Sequence, residues 1–135
     1  MTKRLLTTIL TTLLTAIGLQ AASSFTNVKL TVSGMTVTMS NGKTTIKIGS
    51  NGRASSMKWG SRELLDGSNG IYFDYTTAQG NKALSPSELK IIKQTDEMCE
   101  VLYSATSGNT IFQQGYIMRN DIAGVYTYVI ATGTA

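Results

Sequence analysis

No histidine occurs anywhere in these 135 residues. That absence removes Ser-His-Asp and Cys-His catalysis, a histidine general base and histidine-ligated zinc. There is a single cysteine, Cys99, which excludes an internal disulfide and any cysteine-held metal cluster. Charge is scarce as well: 15% of residues are charged, against about 25% in an average domain. Proline occurs once and aromatics make up 7%. Acid–base chemistry is thereby left to carboxylates, lysines and tyrosines. What is plentiful is Thr, Ser and Gly, with 41% hydrophobic residues. That mixture fits an exported β protein with a polar surface, and is too apolar for disorder. One domain is expected at this length.

The first twenty-two residues read differently from the rest. Lys3 and Arg4 precede an uncharged run from Leu5 to Leu19, diluted by five Thr, and small residues follow at Ala21, Ala22, Ser23 and Ser24. This order predicts a secretory signal peptide over 1–22. The run is short of the ~20 apolar residues of a membrane anchor. Cleavage is expected after Ala21 or within the next two residues, leaving a β domain over 23–135, no membrane span and a secreted, periplasmic or extracellular protein. No cysteine near the site suggests a lipid anchor. Without Lys3 and Arg4 the chain has ten basic residues against eight acidic, a net of +2. Neither that balance nor any basic run points to nucleic acid.

Alternation is the main signal in the remainder. Val28, Leu30 and Val32 alternate with polar residues, as do Met35, Val37 and Met39, and then Thr44, Ile46 and Ile48. Asn41-Gly42 between the last two is the strongest hairpin signal, predicting a type I′ turn with positive φ at both positions. Further strands are expected over 54–59, 71–75, 88–93, 98–104, 111–119 and 125–131. Gly60-Ser61 and Ser107-Gly108-Asn109 read as turns, and 78–86 as a loop that accommodates Pro86. Eight to ten strands with turns about every ten residues predict an antiparallel β-sandwich. Val28, Leu30, Val37, Ile46, Ile48, Met57, Val101 and Ile117 are expected to face inward, and Trp59 to be largely buried. Cys99 alternates with Val101 and Tyr103, as a small core residue would.

Chemical constellations are few. Asp96, Glu97 and Glu100 cluster at a strand entry, but a calcium site needs six or more oxygens from several loops. A solvated turn is the better reading. The glycine-rich stretches are hairpin turns and none precedes a helix, so a phosphate cradle is unsupported. No catalytic, cofactor or metal position is assigned. Two residues stand as candidate glycan contacts: Trp59, which offers a face for sugar stacking, and Arg119, a cation closing a strand beside Asn120-Asp121.

Two segments carry a family resemblance. The run Thr44–Asp66, TTIKIGSNGRASSMKWGSRELLD, resembles the N-terminal strands of rhamnogalacturonan lyases of the polysaccharide lyase family 4 type, with their "I-x-x-I-x-Y-x-G-x-E-L" strand. The run Gln114–Ile130, QGYIMRNDIAGVYTYVI, is similar to a later strand pair of that family, "Y-x-M-x-x-G-x-x-G-x-Y-x-Y", but has no Gly at Asp121 or Ile122. The resemblance implies a super-sandwich of the galactose-mutarotase-like type. It also implies cleavage of rhamnogalacturonan I, a pectic polysaccharide, by β-elimination. In that family a Lys and a His, with Arg residues binding the uronate, follow the tyrosine-rich strand. No position here matches them, and none is carried over.

The expectation is therefore the N-terminal piece of a longer lyase, inactive by itself. The alternative is a stand-alone exported sandwich that binds glycan or serves surface assembly. In the first case Ile111, Ile117, Val125, Tyr128 and Ile130 would lie on an open face or edge.

Overall fold

The computed structural model describes residues 24–66 and 70–133. The expected signal peptide lies outside the described residues. Eleven strands are present: β1 (Lys29–Ser33), β2 (Thr36–Ser40), β3 (Thr44–Ile48), β4 (Ala54–Trp59), β5 (Arg62–Glu63), β6 (Asp74–Thr77), β7 (Gly80–Ala83), β8 (Glu88–Gln94), β9 (Met98–Ser107), β10 (Thr110–Arg119) and β11 (Tyr126–Gly133). Two exceed the nine alternating runs of the sequence. β5 has only two residues. β7 occupies part of the expected loop 78–86, where GNKA shows no alternation because all four residues are exposed.

Every named strand pairing is antiparallel. β1 to β5 form one sheet in chain order, β8 to β11 form a second, and β6–β7 is a separate hairpin. Each large sheet is thus a meander built from local turns. Three two-residue turns place a glycine first, with φ of 58° at Gly34, 58° at Gly60 and 59° at Gly108, followed by a residue with ordinary φ. That is where a type II′ hairpin turn demands glycine.

The hairpin at Asn41-Gly42 forms, with Val37 opposite Ile48 and Met39 opposite Ile46. Its turn is not type I′. Ser40 pairs with Thr45, so the loop has four residues, and only Gly42 has a positive φ, of 85°. Asn41 is held instead by its side chain, which donates to the carbonyls of Arg119 and Ile122.

The two sheets face each other across one apolar core. Val37, Met39, Ile46, Ile48 and Ala54 come from the first; Cys99, Val101, Tyr103, Tyr116 and Met118 come from the second. Period-two alternation puts these on the inner faces and Thr and Lys on the outer ones. Two tyrosines tie the layers together. Tyr103 donates to the carbonyl of Met35 at 2.8 Å, and Tyr116 to that of Gly52 at 2.7 Å. Burial holds both phenols far above their ordinary range, so they remain neutral donors. It also pushes the Cys99 thiol up to about 11, as suits a core residue.

Of the residues expected inside, Val28, Val37, Ile46, Ile48 and Val101 are buried, and Leu30 and Met57 pack against the core. Ile117 does not face it. On β10 the inner set is Phe112, Gln114, Tyr116 and Met118; Ile117 takes the outer face, half-buried between Glu100 and Tyr126. Trp59 corrects the sequence expectation as well, being 58% exposed. It pairs with buried Thr44, so it lies on the core side of its strand. It sits at the last position beside the Gly60-Ser61 turn, past the final layer of the core.

The outer face of the second sheet has one close-packed feature. Tyr128 lies opposite Gly115, and a Cβ there would come 2.2 Å from the Tyr128 ring. The ring crosses β10 over this glycine, and its hydroxyl donates to the Glu100 carboxylate on β9. Burial, then the hydrogen bond and charge of Glu100, push that hydroxyl up to about 12. Gly115→Ala is expected to cost about 2 kcal/mol in urea unfolding, the range of overpacking penalties. In a Tyr128→Ala background the same change should cost little, because the ring it displaces is gone. Equal costs in both backgrounds would show that the glycine serves the backbone and not the ring.

Candidate functional site

Trp59 and Arg119 reach the same end of the sandwich by way of Asn41. The Gly60 N–H after Trp59 donates to the carbonyl of Lys43, in the β2–β3 loop. The Asn41 side chain, in that same loop, donates to the carbonyl of Arg119. Trp59 is open to solvent. Arg119 is engaged: its guanidinium forms a two-point pair with Asp121 at 3.0 and 3.1 Å. That pair raises the arginine further and holds the Asp121 carboxyl below its ordinary value. Asp121 takes up the Nε–Nη2 edge and offsets the charge, so an anion arriving at Arg119 would meet a cation already partly neutralised.

The residues of the acidic cluster are not gathered around a common point. The carbonyl of Asp96 accepts from the Val28 N–H, that of Glu97 from the Asn120 N–H, and Glu100 takes the Tyr128 hydroxyl. Among the described residues no group of three or more metal-binding side chains gathers. No helix among them is long and apolar enough to cross a membrane.

The resemblance segment around Glu63 also has a structural account. The Glu63 carboxylate accepts from the Ser56 hydroxyl and from the Met57 and Leu65 N–H groups. These bonds, led by that of Ser56, hold its pKa below the usual carboxylate value. They fasten the short β5 to β4 where the ladder is only two residues long.

A concave site lies at the other end of β4, about 17 Å away along the five steps of this six-residue strand at ~3.4 Å each. It is a cavity of about 270 Å³ lined by Asn51, Arg53, Tyr72, Phe73, Leu84 and Gln114. The loop 49–53 builds its rim. The Gly49 N–H donates to the Arg53 carbonyl, and the Arg53 N–H to Asn51 Oδ1. Gly52, with φ of 74°, lets that loop turn close against Leu84 and Tyr103. Ala54 and Ile71 exchange two backbone bonds, at 2.9 and 3.1 Å, and so bring Tyr72 beside Arg53. The guanidinium lies 4.3 Å over the centre of the Tyr72 ring, a cation–π contact. Phe73 continues the aromatic wall, stacking on Tyr75, which stacks in turn on Phe112 at 4.1 Å.

Gln114 sits deepest. It is 2% exposed, and its Oε1 has no hydrogen-bond partner. A buried acceptor left unpaired costs about 1–3 kcal/mol, and such groups call for an explanation. The cavity thus combines a cation held on an aromatic ring with an apolar side wall, while the unpaired Gln114 Oε1 is shut off from it. None of these residues stood out in the sequence. Gln114 had one signal: a polar residue in the inward phase with Tyr116 and Met118.

Comparison with known proteins bears on what such a site serves. The chain is 31% identical to a rhamnogalacturonate lyase of Dickeya dadantii (strain 3937), over an alignment 135 positions long. It is related to part of that lyase. The alignment takes in 92% of this chain but 23% of the lyase, so the chain spans about a quarter of its relative's length. No protein-family model matches the chain, and no solved structure matches it.

Proposed function

We propose that this chain is the N-terminal part of a secreted polysaccharide lyase that acts on rhamnogalacturonan I by β-elimination, and that this part is inactive by itself. The observation that carries the reading is the 31% identity, along 92% of the chain, to a rhamnogalacturonate lyase. In this reading the sandwich is one section of a larger galactose-mutarotase-like super-sandwich, and the remaining sections supply the catalytic groups.

The chemistry sets the requirement. A base must remove the weakly acidic proton beside the uronate carboxylate. The electron pair left behind forms a carbon–carbon double bond as the neighbouring glycosidic C–O bond breaks, and the departing oxygen takes a proton. Cations must neutralise the carboxylate while charge develops on it, and the base needs a pKa near the working pH. Around the cavity Arg53 supplies one cation, and Tyr72, the one phenol there, lies beneath it. A second cation and a tuned base would come from elsewhere in the enzyme.

A second reading is a non-catalytic exported module that binds glycan, favoured by the exposed Trp59 and by the cavity. Incubating the purified chain with rhamnogalacturonan I tests the first. No unsaturated-uronate absorbance is expected from the chain alone, whereas a product extended along the downstream coding DNA should generate it. Clear eliminase activity from the chain alone would make one of its own Tyr or Lys residues the base. A downstream sequence without any lyase frame would leave the binding module.

A further inference from the structure

We propose that Asn41 is a modification site gated by folding: the native fold keeps its side-chain amide intact, and unfolding opens it to deamidation, which leaves a permanently weakened fold.

Asn-Gly is the dipeptide in which an asparagine side chain most readily loses its nitrogen. Glycine has no Cβ to hold its backbone nitrogen away from the preceding side chain. That nitrogen gives its proton to solvent base and attacks the asparagine Cγ. The new C–N bond closes a succinimide ring as the Cγ–Nδ2 bond breaks, and Nδ2 takes a proton and departs as ammonia. Water then opens the ring at either carbonyl, giving aspartate or isoaspartate. In sum, an amide and a water give an acid and an ammonia, with no other reactant.

Positions 41 and 51 carry this dipeptide in nearly the same setting, Ser40-Asn41-Gly42-Lys43 and Ser50-Asn51-Gly52-Arg53. In an unfolded chain the two should react alike. The fold separates them. Asn51 is exposed, with its Oδ1 on the Arg53 N–H at 3.1 Å. The Gly52 N–H donates to the Gly49 carbonyl at 3.0 Å, which slows attack there without closing it. Asn41 is fully buried. Its Oδ1 accepts from the N–H groups of Lys43 and Thr44, and its Nδ2 donates to the carbonyls of Arg119 and Ile122, both at 2.7 Å. The two N–H groups could support charge on Oδ1 during attack, but departure is closed. Nδ2 needs a further proton to leave, the carbonyls around it are acceptors, and a fully buried side chain is out of reach of bulk water.

The reactive pair comes with the structure. Gly42 has a φ of 85°, and a Cβ there would lie 2.5 Å from the Ser24 carbonyl oxygen, so another residue would strain the loop. Conversion removes what Asn41 does. Aspartate has no N–H for the Arg119 and Ile122 carbonyls. Isoaspartate also routes the main chain through Cβ and Cγ, adding an atom to the loop between the paired Ser40 and Thr45. Chemical change of the unfolded state turns a reversible transition into a one-way one.

Peptide mapping by mass spectrometry of the full chain, aged at mildly alkaline pH with and without guanidinium chloride, is the test. In denaturant, positions 41 and 51 should convert at similar rates. In buffer, conversion at 41 should be at least tenfold slower than in denaturant, and 51 should be slowed less. After return to buffer, molecules converted at 41 should unfold at a lower denaturant concentration than unconverted ones. An Asn51→Ser chain should show the same loss, which excludes position 51 as its source. Mapping the early- and late-unfolding fractions of the unaltered chain reads the same point without a variant. Conversion at 41 as fast in buffer as in denaturant, or converted molecules that unfold like unconverted ones, would overturn the proposal.

Discussion

Asn41→Ala is expected to destabilise the fold by about 3 kcal/mol, which for a domain of this size lowers the melting temperature on the order of 15 °C. Asn41 is fully buried and its side chain makes four hydrogen bonds. Nδ2 donates to the carbonyls of Arg119 and Ile122, both at 2.7 Å, and Oδ1 accepts from the N–H groups of Lys43 and Thr44. One amide thus closes the β2–β3 loop and fastens it to the β10–β11 connection, some eighty residues on. Alanine would leave several of these backbone groups without partners, at about 1–3 kcal/mol for each that water cannot reach. Asn41→Asp is the sharper variant. Its carboxylate can still accept from Lys43 and Thr44. It turns a second oxygen on two carbonyls, and buries a charge against their lone pairs. Urea unfolding should rank wild type above Asn41→Ala, and Asn41→Ala above Asn41→Asp. If aspartate is tolerated as well as asparagine, the two long-range donations do not matter and the loop alone sets the cost.

The same residue marks how far the sequence can be read. Asn-Gly between two alternating runs correctly places a hairpin, because alternation and a loop glycine are local signals. The turn type is not legible locally, because Asn41 is bound by partners seventy-eight and eighty-one positions away that no local pattern shows. Gly60-Ser61 and Gly108-Asn109 were legible for the opposite reason: those turns are fixed by their own glycines. β10 misled through composition. Ile111, Tyr116, Ile117 and Met118 put apolar residues on both faces, so alternation could not decide that Ile117 faces outward. Trp59 misled because its phase is inward while its position overhangs the core. The cavity was illegible in the same way as the partners of Asn41. Arg53, Tyr72 and Gln114 meet only because Ala54 bridges to Ile71 and the second sheet folds over the first. The all-β antiparallel sandwich, by contrast, was fully readable, since each large sheet is a meander of neighbours.

The last strand carries the other large expected effect: the chain in solution should self-associate, and Ile130→Lys should weaken that association at least tenfold. β11 is the edge of its sheet among the described residues, paired on one side with β10. Its eight residues, YTYVIATG, include no charge and no proline, and seven of them are exposed. The other edges of the two large sheets are guarded. β1 carries Lys29, β5 carries Arg62 and Glu63, and β8 carries Glu88, Lys90 and Lys93. Charges and prolines are what keep free strand edges from pairing with another chain. β11 instead presents Tyr126, Val129 and Ile130, each more than 40% exposed. Such a strand suits pairing with a further strand of the same polypeptide, as a larger super-sandwich would provide. Without that strand, a second copy can take its place, edge to edge. Lysine at 130 would place a charge on the outer face, opposite Gln113, without entering the core. Sedimentation velocity over a concentration series reads the effect directly. Oligomers that dissociate in the Ile130→Lys chain, and in a chain extended along the downstream coding DNA, would fit an edge built to be continued. A monomer at every concentration, with a sharp two-state melt, would instead mark β11 as a finished edge and favour the stand-alone binding module.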